Sequence, residues 1–90
     1  MLRYLMIING RVQGVGFRYF AKLKALELSL TGYAKNLNSG EVIIEIQGGK
    51  EYLDKFISYI IKGNNFAKID DINFKVLPLV CNEKNFKIKY

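Results

Sequence analysis

The sequence contains no histidine, one cysteine and one proline. Without histidine, the commonest general base and the commonest metal ligand are both missing. A Cys/His zinc site and a Ser-His-Asp triad are thereby excluded. The single cysteine, Cys81, has no partner within the chain, which argues against a disulfide scaffold and fits a reducing compartment. No apolar run approaches the ~20 residues of a membrane span. The apolar N-terminal run ends in Asn9-Gly10-Arg11 without a small-residue cleavage site, so no signal peptide is expected. A soluble, cytoplasmic chain is the expectation. Acids are also few: Glu27, Glu41, Glu45, Glu51, Asp54, Asp70, Asp71 and Glu83. Only Asp70 and Asp71 adjoin, and neighbouring strand residues point to opposite faces, so no paired-carboxylate or metal site is expected.

What is present is 90 residues, half of them hydrophobic. That is enough for one domain, residues 1–90, with a core that needs no disulfide or metal. The formal charge is +6, but the lysines are spread along the chain and do not form a block. They read as a solvated basic surface that could modestly steer anions.

Hydrophobic periodicity gives the elements. Leu2 to Ile8 carries apolar residues on both parities, as a central strand does. Phe17, Phe20, Ala21, Ala25 and Leu28 fall on one helical stripe, interrupted by Lys24. Leu30 to Asn36 reads as a second strand. Asn38-Ser39-Gly40 is turn chemistry leading into Glu41–Gln47 as a hairpin. Lys50 to Lys62 forms a second helical pattern, closed by Gly63-Asn64-Asn65. Ile72, Phe74 and Val76 alternate in a fourth strand that Pro78 stops. Phe86, Ile88 and Tyr90 alternate in a short last one. Each helix has one apolar stripe, so both are expected on one face of a single sheet. Right-handed crossovers then give an α+β, ferredoxin-like sandwich: βαββαβ plus a short terminal strand, with a mostly antiparallel sheet of four to five strands.

Between the first strand and the first helix lies Gly10-Arg-Val-Gln-Gly-Val-Gly-Phe-Arg18. A helix N-terminus carries partial positive charge and unpaired N–H groups, which favour acids there, yet Arg18 is a cation. Arg18 fits if an anion binds beside it. Glycines allow successive N–H groups to converge on such an anion. A glycine turn also occurs without any ligand, and Arg18 could equally be an exposed cation paired with an acid. The spacing is neither a Walker loop nor G-x-G-x-x-G. Asn36 has two readings as well: a residue beside a turn, or an amide that both donates and accepts and so can orient a water. Arg11 reads as a solvated cation and Asn38 as a turn residue.

The Gly10–Arg18 stretch, with Gly32-Tyr33-Ala34-Lys35-Asn36-Leu37-Asn38-Ser39-Gly40 after it, resembles the two-part signature of the acylphosphatases, small enzymes that hydrolyse carboxyl phosphates. The resemblance spans essentially the whole chain and implies the same fold. It implies that Gln13, Gly14, Val15, Gly16, Phe17 and Arg18 bind the substrate phosphate, and that Arg18 and Asn36 are catalytic. Tyr33 stands where the family often has tryptophan, a matter of packing. Gly63-Asn64-Asn65 replaces the family's usual Gly-Pro and is expected to affect only its own loop, leaving the active site untouched.

The implied chemistry suits this composition. An acyl phosphate expels a carboxylate, already a stable anion at neutral pH, so no general acid is needed. Positioning and charge stabilisation supply most of phosphoryl-transfer catalysis, and the bound phosphate can accept the water's proton. No cofactor or metal is expected. Partners are expected to be a small-molecule acyl phosphate and inorganic phosphate, with no membrane and no nucleic acid, and the chain is expected to be a monomer. Two other classes share the fold. One is an RNA-binding module with Tyr4 as a stacking residue, although the aromatic RNA-binding motif is missing from the strands. The other is an accessory domain of a larger carbamoyl-transfer maturation protein; an end at Tyr90 favours the free-standing enzyme.

Overall fold

In the computed structural model, which describes residues 1–90, the order is β1 (Leu2–Arg11), α1 (Phe17–Glu27), β2 (Thr31–Asn36), β3 (Val42–Gly48), α2 (Lys50–Lys62), β4 (Lys68–Leu77) and β5 (Phe86–Lys89). The five strands form one sheet in the order β4-β1-β3-β2-β5. All neighbours are antiparallel except β2 and β5, which run parallel. The fold class and element order expected from periodicity are those observed.

Residues opposite one another in a sheet share a face. Met6 pairs with Ile44, Ile44 with Ala34, and Ala34 with Ile88, giving one row across four strands. The next row is Ile8, Val42 and Asn36. These rows face the helices, whose Phe17, Ala21, Ala25, Leu53, Phe56 and Ile60 complete the buried core. Asn36 is thus the polar end of an otherwise apolar row. Lys24, the cation inside the α1 stripe, is accommodated by lying 4.4 Å above the Tyr59 ring, so that its stem covers apolar surface.

Two strands are longer than the hydrophobic pattern implied. β1 continues past Ile8 to Arg11, and β4 begins at Lys68, four residues before Ile72. The cause is a bulge: Asn9 opposes Asp71 but Gly10 opposes Ile69, so Asp70 is left without a partner. Gly10 has φ 135°, and a Cβ there would collide with the Lys68 carbonyl. Asp70 and Asp71 have low strand propensity, but β4 is an edge strand with exposed residues, where charge is tolerated.

The sheet's other face carries a polar cluster that sequence reasoning missed. Arg3 is only 2% exposed. Its guanidinium donates to Glu45 at 2.9 Å, to Glu83 at 2.8 and 3.2 Å, and to Gln47 at 3.2 Å. Gln47 exchanges two hydrogen bonds with the backbone of Val80. The segment after Pro78 is thereby pinned across the sheet. Glu45 and Glu83 are therefore brought together on one buried cation. Burial pushes the Tyr33 phenol up to about 12, helped by its hydrogen bond to Glu45.

Candidate active site

Val12 and Phe17, each 1% exposed, anchor the two ends of the loop between β1 and α1 in the core. Between them, Gly14 (φ 72°) and Gly16 (φ 75°) adopt left-handed backbone two residues apart. Such alternation turns successive N–H groups toward one point. None of the N–H groups from Gly14 to Tyr19 donates to a backbone carbonyl. The helix start has no side-chain cap at Gly16 and no acid in its first turn. Its positive end and donors are thus met by neither a cap nor a backbone carbonyl, an arrangement able to receive an anion.

Val12, Gly14, Gly16, Phe17, Arg18, Tyr19, Asn36, Ile88 and Tyr90 line one cleft of about 270 Å³. That is at the small end for ligand sites and suits a small anion. Arg18 Nη1 donates to the Lys89 carbonyl at 3.1 Å, and its Cζ lies 4.9 Å from the centre of the Tyr90 ring. One donor and one face of the guanidinium are committed to the end of β5, leaving the other donors of the fork. Asn36 reaches the cleft because its parity puts it on the helix side of β2. Its Oδ1 is buried and has no protein hydrogen-bond partner. Its acceptor capacity is therefore not spent on the protein.

Sequence-predicted residues divide into two groups. Gly14, Gly16, Phe17, Arg18 and Asn36 line the cleft; Gln13 and Val15 do not. The Gln13 side chain instead donates to the carbonyls of Leu37 at 2.7 Å and Glu41 at 2.8 Å, tying the loop to the hairpin that carries Asn36. Val15 turns its carbonyl to Asn64 Nδ2 at 2.8 Å. The loop at Gly63-Asn64-Asn65 therefore does touch the site, contrary to the expectation from sequence: a half-buried amide there spans the gap that separates it from the glycine loop. Lys89 and Tyr90 were also missed, since nothing in the chain signals a contact 71 residues away. Arg11 is exposed, and Asn38 sits in the turn without a side-chain bond, both as expected.

The family model for acylphosphatases matches residues 4–88. The chain belongs to the acylphosphatase family. It is 56% identical to the acylphosphatase of Clostridium beijerinckii over the full length of both chains. It superposes on the crystal structure of the Bacillus subtilis acylphosphatase with a TM-score of 0.95, at 38% identity and complete coverage of both. It also matches T. kodakarensis HypF with a TM-score of 0.88 at 35% identity, but covers only 12% of that chain. With full-length acylphosphatase relatives, the chain is an acyl-phosphate hydrolase whose substrate class is a small-molecule acyl phosphate. No helix is long and apolar enough to cross a membrane. Tyr4, the stacking residue of the RNA-binding alternative, packs edge-on against Phe74 with ring centres 6.5 Å apart, on the helix side of the sheet.

Proposed function

We propose that the chain cleaves acyl phosphates without a metal, with Arg18 clamping the phosphate and Asn36 orienting the attacking water. The glycine loop holds the phosphoryl oxygens through the N–H groups from Gly14 to Arg18, and the α1 dipole adds to the charge stabilisation. Arg18 takes phosphate oxygens with the donors not spent on Lys89. Asn36 Oδ1 accepts one hydrogen of the water and points its lone pair at phosphorus. The new P–O bond forms as the acyl C–O–P bridge breaks on the phosphorus side. The carboxylate leaves with the bonding electrons and needs no proton. The water's second proton passes to a phosphate oxygen, giving inorganic phosphate.

The observation that carries this reading is the meeting, in one small cleft, of Arg18 with an Asn36 acceptor that no protein group satisfies. Metal independence is supported by the residues themselves: no group of His, Cys, Asp and Glu is placed to hold an ion. The test is hydrolysis of acetyl phosphate with EDTA present, beside a phosphate monoester. Activity on the acyl phosphate is expected to survive the chelator, and the monoester, whose alkoxide needs an acid, is expected to be far slower. Activity lost to EDTA and restored by a divalent metal overturns the mechanism.

A further inference from the structure

Asn64 lies just beyond Gly63, the left-handed residue that ends α2. Its amide makes three hydrogen bonds: Oδ1 accepts from the backbone N–H of Phe66 at 3.1 Å and of Ala67 at 2.7 Å, and Nδ2 donates to the Val15 carbonyl at 2.8 Å. Only this orientation of the amide satisfies all three, because both loop partners are donors and Val15 O is an acceptor. The two acceptor bonds form an Asx-type turn within the segment from Gly63 to β4. That turn holds the donor nitrogen in place beside the glycine loop.

The consequence follows from peptide geometry. The Val15–Gly16 bond is trans, and in a planar trans peptide the C=O and N–H point in opposite directions. Fixing the Val15 carbonyl on Asn64 therefore fixes the Gly16 N–H on the opposite side. Local physics does not hold this peptide plane by itself, because Gly16 tolerates either sign of φ. The following peptide has its own restraint, since the Gly16 carbonyl accepts from Phe20 N at 3.0 Å in the first helical turn; upstream, the Gln13 side chain is bound to the hairpin. Asn64 restrains the Val15–Gly16 peptide between them. A donor on the carbonyl also polarises the peptide and strengthens its N–H as a donor.

We infer that Asn64 is a positioning residue for the phosphate: it locks the Val15–Gly16 peptide so that the Gly16 N–H is presented to the bound anion. This rests on the proposed phosphate seat. The direct variant is Asn64→Ser. A serine oxygen can still accept from N–H groups two or three residues on, preserving the turn, but it is too short to reach Val15. The variant adds no charge beside the anion. Its inhibition constant for inorganic phosphate and its KM are expected to rise together by about 2- to 13-fold, the equivalent of one hydrogen bond, with a smaller change in kcat. A merely structural Asn64 would lower the melting temperature and leave the phosphate constant of the folded protein unchanged; that result overturns the inference. Should the serine variant not fold, the wild-type protein decides by amide NMR. Titrated inorganic phosphate is expected to move the Gly16 N–H signal, and a fixed Gly16 signal while Arg18 and Phe17 respond overturns the inference. Wild-type protein that binds no phosphate at all defeats the parent reading instead.

Discussion

Gln13 Nε2 donates to the Leu37 carbonyl, one residue beyond Asn36, at 2.7 Å, and to the Glu41 carbonyl across the same hairpin at 2.8 Å. Those two carbonyls also close the hairpin, accepting from Gly40 N at 3.1 Å and Leu37 N at 2.8 Å respectively. One side chain thus ties the glycine loop to the hairpin that carries the amide across the cleft.

Replacing Gln13 with alanine removes both bonds while leaving each carbonyl its hairpin partner. A stability loss of about 1–3 kcal/mol is expected, the net worth of two hydrogen bonds. Turnover should suffer more than binding, because a 1 Å misplacement of a catalytic group can cost roughly 100-fold. Gln13→Glu keeps the size but puts a carboxylate against two carbonyls, so it should be worse than alanine. Thermal melts and steady-state kinetics check both. An unchanged kcat in folded Gln13→Ala would show that the hairpin holds Asn36 without help.

Much of this was legible in the sequence because the local signals agreed. The α2 stripe of Leu53, Phe56 and Ile60 and the Gly63 stop gave that helix its observed bounds. Arg18 stood out because a cation opens a helix that has no acid in its first turn. What stayed hidden depends on strands meeting far along the chain. Nothing next to Arg3 in the chain marks it as buried, because its partners Glu45 and Glu83 arrive from β3 and the last loop. The apolar alternation of the fourth strand begins at Ile72, and only the bulge at Asn9/Gly10 carries the pairing back to Lys68. Asn64 resembles a plain helix stop, and only its bond to Val15 distinguishes it.

The Arg3 cluster gives a pH signature. Burial raises the Glu83 carboxyl, but the hydrogen bond and charge of Arg3 outweigh it and hold the group below its ordinary 4.5. A carboxylate whose folded pKa is depressed contributes stability above the unfolded value and loses it as pH falls through the folded value. Glu83→Gln is therefore expected to be less stable than wild type at neutral pH, with the difference shrinking as pH falls below 4.5. Denaturation curves at a series of pH values check this. A gap that stays constant down to acid unfolding would mean that Glu83 does not carry the acid dependence.

Inorganic phosphate should inhibit competitively and raise the melting temperature, since the cradle of N–H groups exists only in the folded chain. At a hundredfold excess over Kd the gain is about 2.7 kcal/mol. Calorimetry with and without phosphate measures it. A melting curve indifferent to millimolar phosphate, with no inhibition, would leave the glycine loop without its assigned ligand.

The division of labour between Arg18 and Asn36 is tested most directly by measuring kcat and the phosphate inhibition constant for Arg18→Ala, Asn36→Ala and the turn control Asn38→Ala, each first confirmed as folded. Losing one well-placed charge-stabilising donor costs about 2.7–4 kcal/mol in comparable sites, or two to three orders of magnitude in rate. Arg18→Ala is expected to lose that much turnover and phosphate affinity with it. Asn36→Ala should lose turnover with phosphate inhibition nearly unchanged, and Asn38→Ala should keep turnover at a small cost in hairpin stability. Full phosphate affinity in Arg18→Ala, or full turnover in Asn36→Ala, would contradict the mechanism.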